Sequence, residues 1–87
     1  MPRLCDNISG IKFYMYFLDF HQHHAPHFHA YYGDDSAVIS LDGEYVFETS
    51  LPRAQMKIAC EWAKQNQAAL LHRWEQAVKG IPFAKIT

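Results

Sequence analysis

The sequence predicts an α+β domain: an antiparallel meander of three to four strands followed by two C-terminal helices packed on one face. Strand-like segments with period-two alternation fill the first half, and turn-forming dipeptides separate them. From residue 52 the apolar spacing becomes that of a helix. The expected organisation is one domain over 1–87, with the sheet at about 11–48, the helix pair at about 52–78 and a tail at 79–87.

Ile11 to Leu18 (IKFYMYFL) is dense in aromatic and β-branched residues and reads as the first strand. Ile11, Phe13, Met15 and Phe17 share an apolar side that should face the core, and Lys12, Tyr14, Tyr16 and Leu18 share the other. His27 to Gly33 reads as the second strand. It puts Phe28, Ala30 and Tyr32 on one side and His27, His29 and Tyr31 on the other. Gly33 to Asp35 is a turn signal. The third strand, SAVISL, sets Ala37, Ile39 and Leu41 on one side. Asp42–Gly43, between two apolar runs, marks a tight hairpin leading to a short fourth strand at about Glu44 to Glu48.

Composition then changes. Ser50 is placed to cap a helix and Pro52 to sit in its first turn. Up to about Gln65, the residues Ala54, Ile58, Ala59, Trp62 and Ala63 form an apolar stripe, with Arg53, Lys57, Glu61 and Lys64 outward. Asn66 breaks or caps this helix. A second runs from about Gln67 to Val78, burying Leu70, Leu71, Trp74, Ala77 and Val78. Gly80 and Pro82 stop it, and an extended tail should dock through Phe83. Burying each tryptophan would contribute about 4–6 kcal/mol of gross transfer energy, an upper bound.

The chain has 87 residues, of which 49% are hydrophobic and 20% charged, so it has the composition of a folded chain. A net charge of −1 gives no footprint for tight sequence-independent DNA binding, although a local patch remains open. Two cysteines, Cys5 and Cys60, with no secretory signal at the start, imply reduced thiols and a cytoplasmic setting. No apolar run reaches the ~20 residues that span a membrane.

Five of the six histidines crowd residues 21–33, HQHHAPHFHAYYG. Alternation puts His27 and His29 on one side of a strand, roughly 6.5–7 Å apart along it. Pro26 fixes the approach to that strand, with His24 one bend away, so the three imidazoles can converge. Three chemistries fit them. A His-x-His pair with a third histidine can hold a divalent metal and a hydrolytic water, Asp19 being the nearest carboxylate. A histidine pair can instead serve as general acid and base at a phosphodiester, with Arg53 or Lys12 stabilising the developing charge. Solvated histidines, hydrogen-bonded to Tyr14, Tyr16 or a carbonyl, are the plain alternative. The third chemistry is contact. If the first two strands pair, Lys12, Tyr14 and Tyr16 lie beside His27, His29 and Tyr31, in a face suited to stacking bases or docking a protein. Its plain alternative is that the helices cover that face.

The remaining candidates read as structural. Cys60 sits between apolar helix neighbours. Asp34, Asp35, Asp42 and Glu44 flank turns, and Glu61 is an outward helix residue. There is no phosphate-binding glycine loop and no Cys-x-x-Cys pair.

Pro26-His27-Phe28-His29, the following Tyr32-Gly33, the Leu51-Pro52 at the helix start and the spaced Trp62 and Trp74 together resemble the bacterial domain of unknown function family 4160. The resemblance covers nearly the whole chain. Only His24, His27 and His29 match its motif, and Phe20 to His24 is richer in histidine than the family pattern. Members of that family are often encoded beside a small protein of the family of unknown function 2442. The resemblance therefore implies the toxin component of a type II toxin–antitoxin module, neutralised by that partner and with nucleic acid as a candidate target. His24, His27 and His29 are then the candidate catalytic residues. The alternatives are a non-enzymatic protein- or nucleic-acid-binding module and a small metal-dependent hydrolase.

Overall fold

The computed structural model describes residues 3–5, 7–16 and 25–86. Four strands, β1 (Lys12–Tyr14), β2 (His27–Tyr32), β3 (Asp35–Ser40) and β4 (Val46–Thr49), precede two helices, α1 (Arg53–Gln65) and α2 (Gln67–Val78). The sheet order is β1-β2-β3-β4 and every neighbouring pair is antiparallel. This is the expected α+β meander with its helix pair. The expected first strand ran to Leu18; β1 itself ends at Tyr14, and Phe17 and Leu18 lie outside the described residues.

Period-two alternation sorts the side chains. Ile11, Phe13, Met15, Phe28, Ala30, Ala37, Ile39 and Leu41 are all buried on one face. α1 covers that face through Trp62, whose ring lies parallel to Phe13 at 4.4 Å and edge-on to Phe28 at 5.7 Å. Leu4, Leu51, Ala59, Ala63, Leu70 and Ala77 complete the core. The opposite face carries Lys12, Tyr14, His29 and Tyr31, set by the pairings Lys12 with Tyr31 and Tyr14 with His29.

The outer edge of β1 is not bare. Arg3 bridges to Tyr14, Leu4 N–H donates to the Phe13 carbonyl at 2.9 Å, and Ile86 N–H in turn donates to the Leu4 carbonyl at 2.6 Å. The tail is thus tied down, with Phe83 packed against the core as expected.

Three local expectations are corrected. Ser50 does not cap α1: Pro52 occupies the cap position, and the Ser50 hydroxyl instead accepts from the Ser36 N–H at 3.0 Å, joining the end of β4 to β3. Leu71 and Ala54 are exposed, because the buried stripe of α2 runs Leu70, Trp74, Ala77 and that of α1 centres on Ala59 and Ala63. The Asp42–Gly43 hairpin is not a two-residue turn. It is a wider loop, closed by Ser40 N–H to the Tyr45 carbonyl at 2.8 Å and Gly43 N–H to the Ser40 carbonyl at 3.0 Å. Asn66, as expected, ends one helix and starts the next: its backbone and side-chain N–H groups both reach the Trp62 carbonyl, and Leu70 N–H donates to the Asn66 carbonyl.

The Ser40–Tyr45 loop presses against α1. Gly43 has φ +73°, and a Cβ there would drive into the Cys60 carbonyl oxygen and crowd Lys64 Cγ at 3.1 Å. Within the loop, Asp42 Oδ1 accepts from the Ser40 hydroxyl at 2.6 Å and from Glu44 N–H at 2.9 Å. The Ser40 hydrogen bond, followed by that from Glu44, holds the Asp42 carboxyl below its ordinary range.

Gly33 also has positive φ (+59°), but a Cβ there would meet nothing within 4 Å. Gly33→Ala should therefore cost only the backbone term, about 1–2 kcal/mol, and Gly43→Ala clearly more; paired denaturant melts will read the difference. The lowered pKa of Asp42 stabilises the fold above its unfolded-state value, and this is lost as pH falls through the folded value. Asp42→Asn should accordingly be less stable at neutral pH and converge on wild type in acid. Parallel melting curves between pH 7 and about 2 are the measurement.

Candidate functional site

On the face away from α1, β1 and β2 align a run of aromatic rings. Tyr14 lies edge-on to Tyr31 at 5.5 Å and parallel to Tyr16 at 6.2 Å. Tyr16 lies edge-on to His29 at 4.7 Å, and its hydroxyl is 2.7 Å from the Tyr31 hydroxyl. His29 is stacked beside Tyr31 at 6.4 Å. Lys12 is exposed at the β1 end of this surface and makes no ion pair among the described residues. A groove of ≈ 430 Å³ runs along it, lined by Gly10, Lys12, Tyr14, Tyr16, Tyr31 and Gly33.

The two strand histidines share this face, with ring centroids 5.3 Å apart, but not one environment. His29 is half-buried. His27 is only 1% exposed. Trp74 of α2 lies 5.0 Å from the His27 ring and Phe47 of β4 lies 6.3 Å from it. Its Nδ1 is 2.9 Å from the Ala25 carbonyl oxygen, which can only accept, so Nδ1 carries the proton. A shared accessible pocket for both imidazoles is therefore not what the chain builds: His27 is walled in at the end of the sheet, where α2 passes. Trp74, expected on the buried side of the second helix, belongs to the core and also covers His27.

His24 and Asp19 lie outside the described residues. Arg53 opens α1, the helix on the other face. Among the described residues no three His, Cys, Asp or Glu side chains converge to hold a metal ion. Cys5 is buried, neither it nor Cys60 forms a disulfide among the described residues, and burial pushes the Cys60 thiol up, away from nucleophilic character. Among the described residues no helix is long and apolar enough to cross a membrane.

Sequence reasoning missed two features of the site. One is the pair Trp74 and Phe47 over His27. Helical period assigned Trp74 to a buried stripe but could not say which strand end it meets. The other is Gly10, at the mouth of the groove in the Ile8–Ile11 turn. A glycine just before an aromatic strand was the available signal. Charge is also unevenly divided: residues 1–50 hold seven Asp and Glu against two Lys and Arg, a net −5, and residues 51–87 hold two against six, a net +4.

Residues 10–75 match the family model described as "Domain of unknown function (DUF4160)". The chain belongs to this family. The matched span takes in all four strands, α1 and most of α2, so the aromatic face and both described histidines of the motif fall within it. Among curated proteins and solved structures, nothing matches the chain.

His27→Ala should open a cavity beneath Trp74 and cost about 2–4 kcal/mol. His29→Ala, on the half-buried part of the face, should cost about 1 kcal/mol or less. Thermal melts of the two variants test this; equal midpoints would show that His27 is not a packing residue.

Proposed function

We propose that the protein is the toxin component of a bacterial type II toxin–antitoxin module and that it works by contact. Its aromatic sheet face is the surface on which a small antitoxin of the unknown-function family 2442 type docks and neutralises it. The observation that carries this reading is the run Lys12, Tyr14, Tyr16, His29 and Tyr31 along β1 and β2, left uncovered by α1 while His27 is shut away. Tyrosines bring large contact area and few rotatable bonds, which is why they concentrate at protein interfaces. Two cysteines that form no disulfide among the described residues accord with a reducing cytoplasm.

A histidine pair acting on a phosphodiester needs both rings within reach of one substrate. His27 meets that requirement only if Trp74 moves aside, so the geometry favours binding over acid–base chemistry at His27 and His29. A nucleic-acid target is the second reading, supported by Lys12 beside parallel tyrosine rings. The net −5 of the strand half weighs against it, because a polyphosphate is repelled by such a field.

The test is expression in bacteria, alone and with the small partner. Alone, the chain should arrest growth. Together, the two should co-purify and growth should recover. The double variant Tyr14→Ala/Tyr31→Ala should keep its far-ultraviolet circular dichroism and lose co-purification by at least about tenfold, as removal of interface anchors does. Retention of the partner by a folded double variant would refute docking on this face, and unimpeded growth would refute the toxin assignment.

A further inference from the structure

The groove on the sheet face has a chemistry of its own. Among its described lining residues three are tyrosines, two are glycines, and the only charged side chain is Lys12. Lys12 pairs with Tyr31 across β1 and β2, and Tyr14, two residues on, lies edge-on to Tyr31 at 5.5 Å. An ammonium group therefore sits at one end of a floor of aromatic rings, with phenolic hydroxyls along it and no carboxylate among the described lining residues.

Such a site complements one negative charge next to an apolar or planar group. The ammonium holds the charge through a charge-assisted hydrogen bond, and the rings take the neighbouring side chain. Two sources of negative charge are available to a protein: carboxylates and phosphates. A nucleic-acid strand would bring a phosphate at every nucleotide to a half-molecule of net −5, with a single lysine among the described lining residues to receive them. A peptide brings its carboxylate singly. We infer that the groove receives an acidic, extended segment of the partner protein, with one carboxylate at Lys12 and the adjoining side chain laid across Tyr14 and Tyr31. This rests on the docking reading above and names the chemistry of what docks.

The probe is an acetylated, amidated hexapeptide of serine and leucine carrying a single glutamate beside a leucine, titrated into the isotope-labelled full chain at low salt. Its controls are the same peptide with glutamine for glutamate and a short oligothymidylate. The glutamate peptide should shift the amide resonances of Lys12, Tyr14 and Tyr31, and the glutamine peptide should not. Lys12→Gln should weaken binding about three- to tenfold, and Lys12→Glu should transfer the preference to the same peptide with lysine in place of its glutamate. Equal response to glutamate and glutamine peptides, no response to either, or stronger shifts with the oligothymidylate would each overturn the inference. Co-purification separates the two levels. A partner retained by Lys12→Gln but lost from Tyr14→Ala/Tyr31→Ala sinks the acidic-segment inference alone. A partner retained by both variants sinks the docking reading.

Discussion

Trp62 lying flat on Phe13 is the contact that decides which side of the sheet becomes interior. A four-stranded meander has two faces, and a domain of this size has one helix pair with which to cover them. The ring stack at 4.4 Å, with Phe28 edge-on to the same indole, draws α1 onto the Ile11, Phe13, Met15 side. Strand alternation then leaves the other set of side chains outside α1's reach, and on β1 and β2 that set is tyrosine, histidine and lysine. The core and the aromatic face are thus two outcomes of one packing choice.

The same geometry explains why two histidines on one side of one strand differ so much. His29 stands mid-strand, opposite Tyr14 and among other rings of the open face. His27 is the first residue of β2, at the end of the sheet where α2 crosses, and Trp74 closes over it. A buried imidazole hydrogen-bonded to a carbonyl and surrounded by aromatic rings behaves as a polar-tipped core residue. The prominence of a residue in a motif is compatible with that role: Pro26, His27 and Phe28 together fix how β2 starts, through an extended approach, a backbone-anchored ring and a core phenyl.

Much of this fold was legible in the sequence. Alternation assigned Phe28 and Ala30 to the core and His29 and Tyr31 to the other face, because period two leaves a residue's side no freedom once its strand is set. The second helix was readable to the residue, since Asn66 and Gly80 punctuate it on both sides. What failed was whatever depends on a second element. Ser50 was assigned to the helix that follows it and serves the strand beside it. Leu71 is apolar but sits off the stripe that Leu70 and Trp74 define. Gly43 was read as a turn residue, and the closeness of α1 is its stronger constraint. The closure of Trp74 over His27 was illegible for the same reason: periodicity orients a side chain within its element but carries no information on where two elements cross.

The backbone stitching at the outer side of β1 has a further consequence. Arg3 and Leu4 already occupy that rim, and Ile86 occupies theirs, so the ladder cannot be lengthened there by a strand from another molecule. A partner at the proposed docking face would then be recognised by the texture of its side chains instead. A surface of that kind discriminates by the shape and charge of a visitor, whereas an open sheet border would accept almost any extended chain.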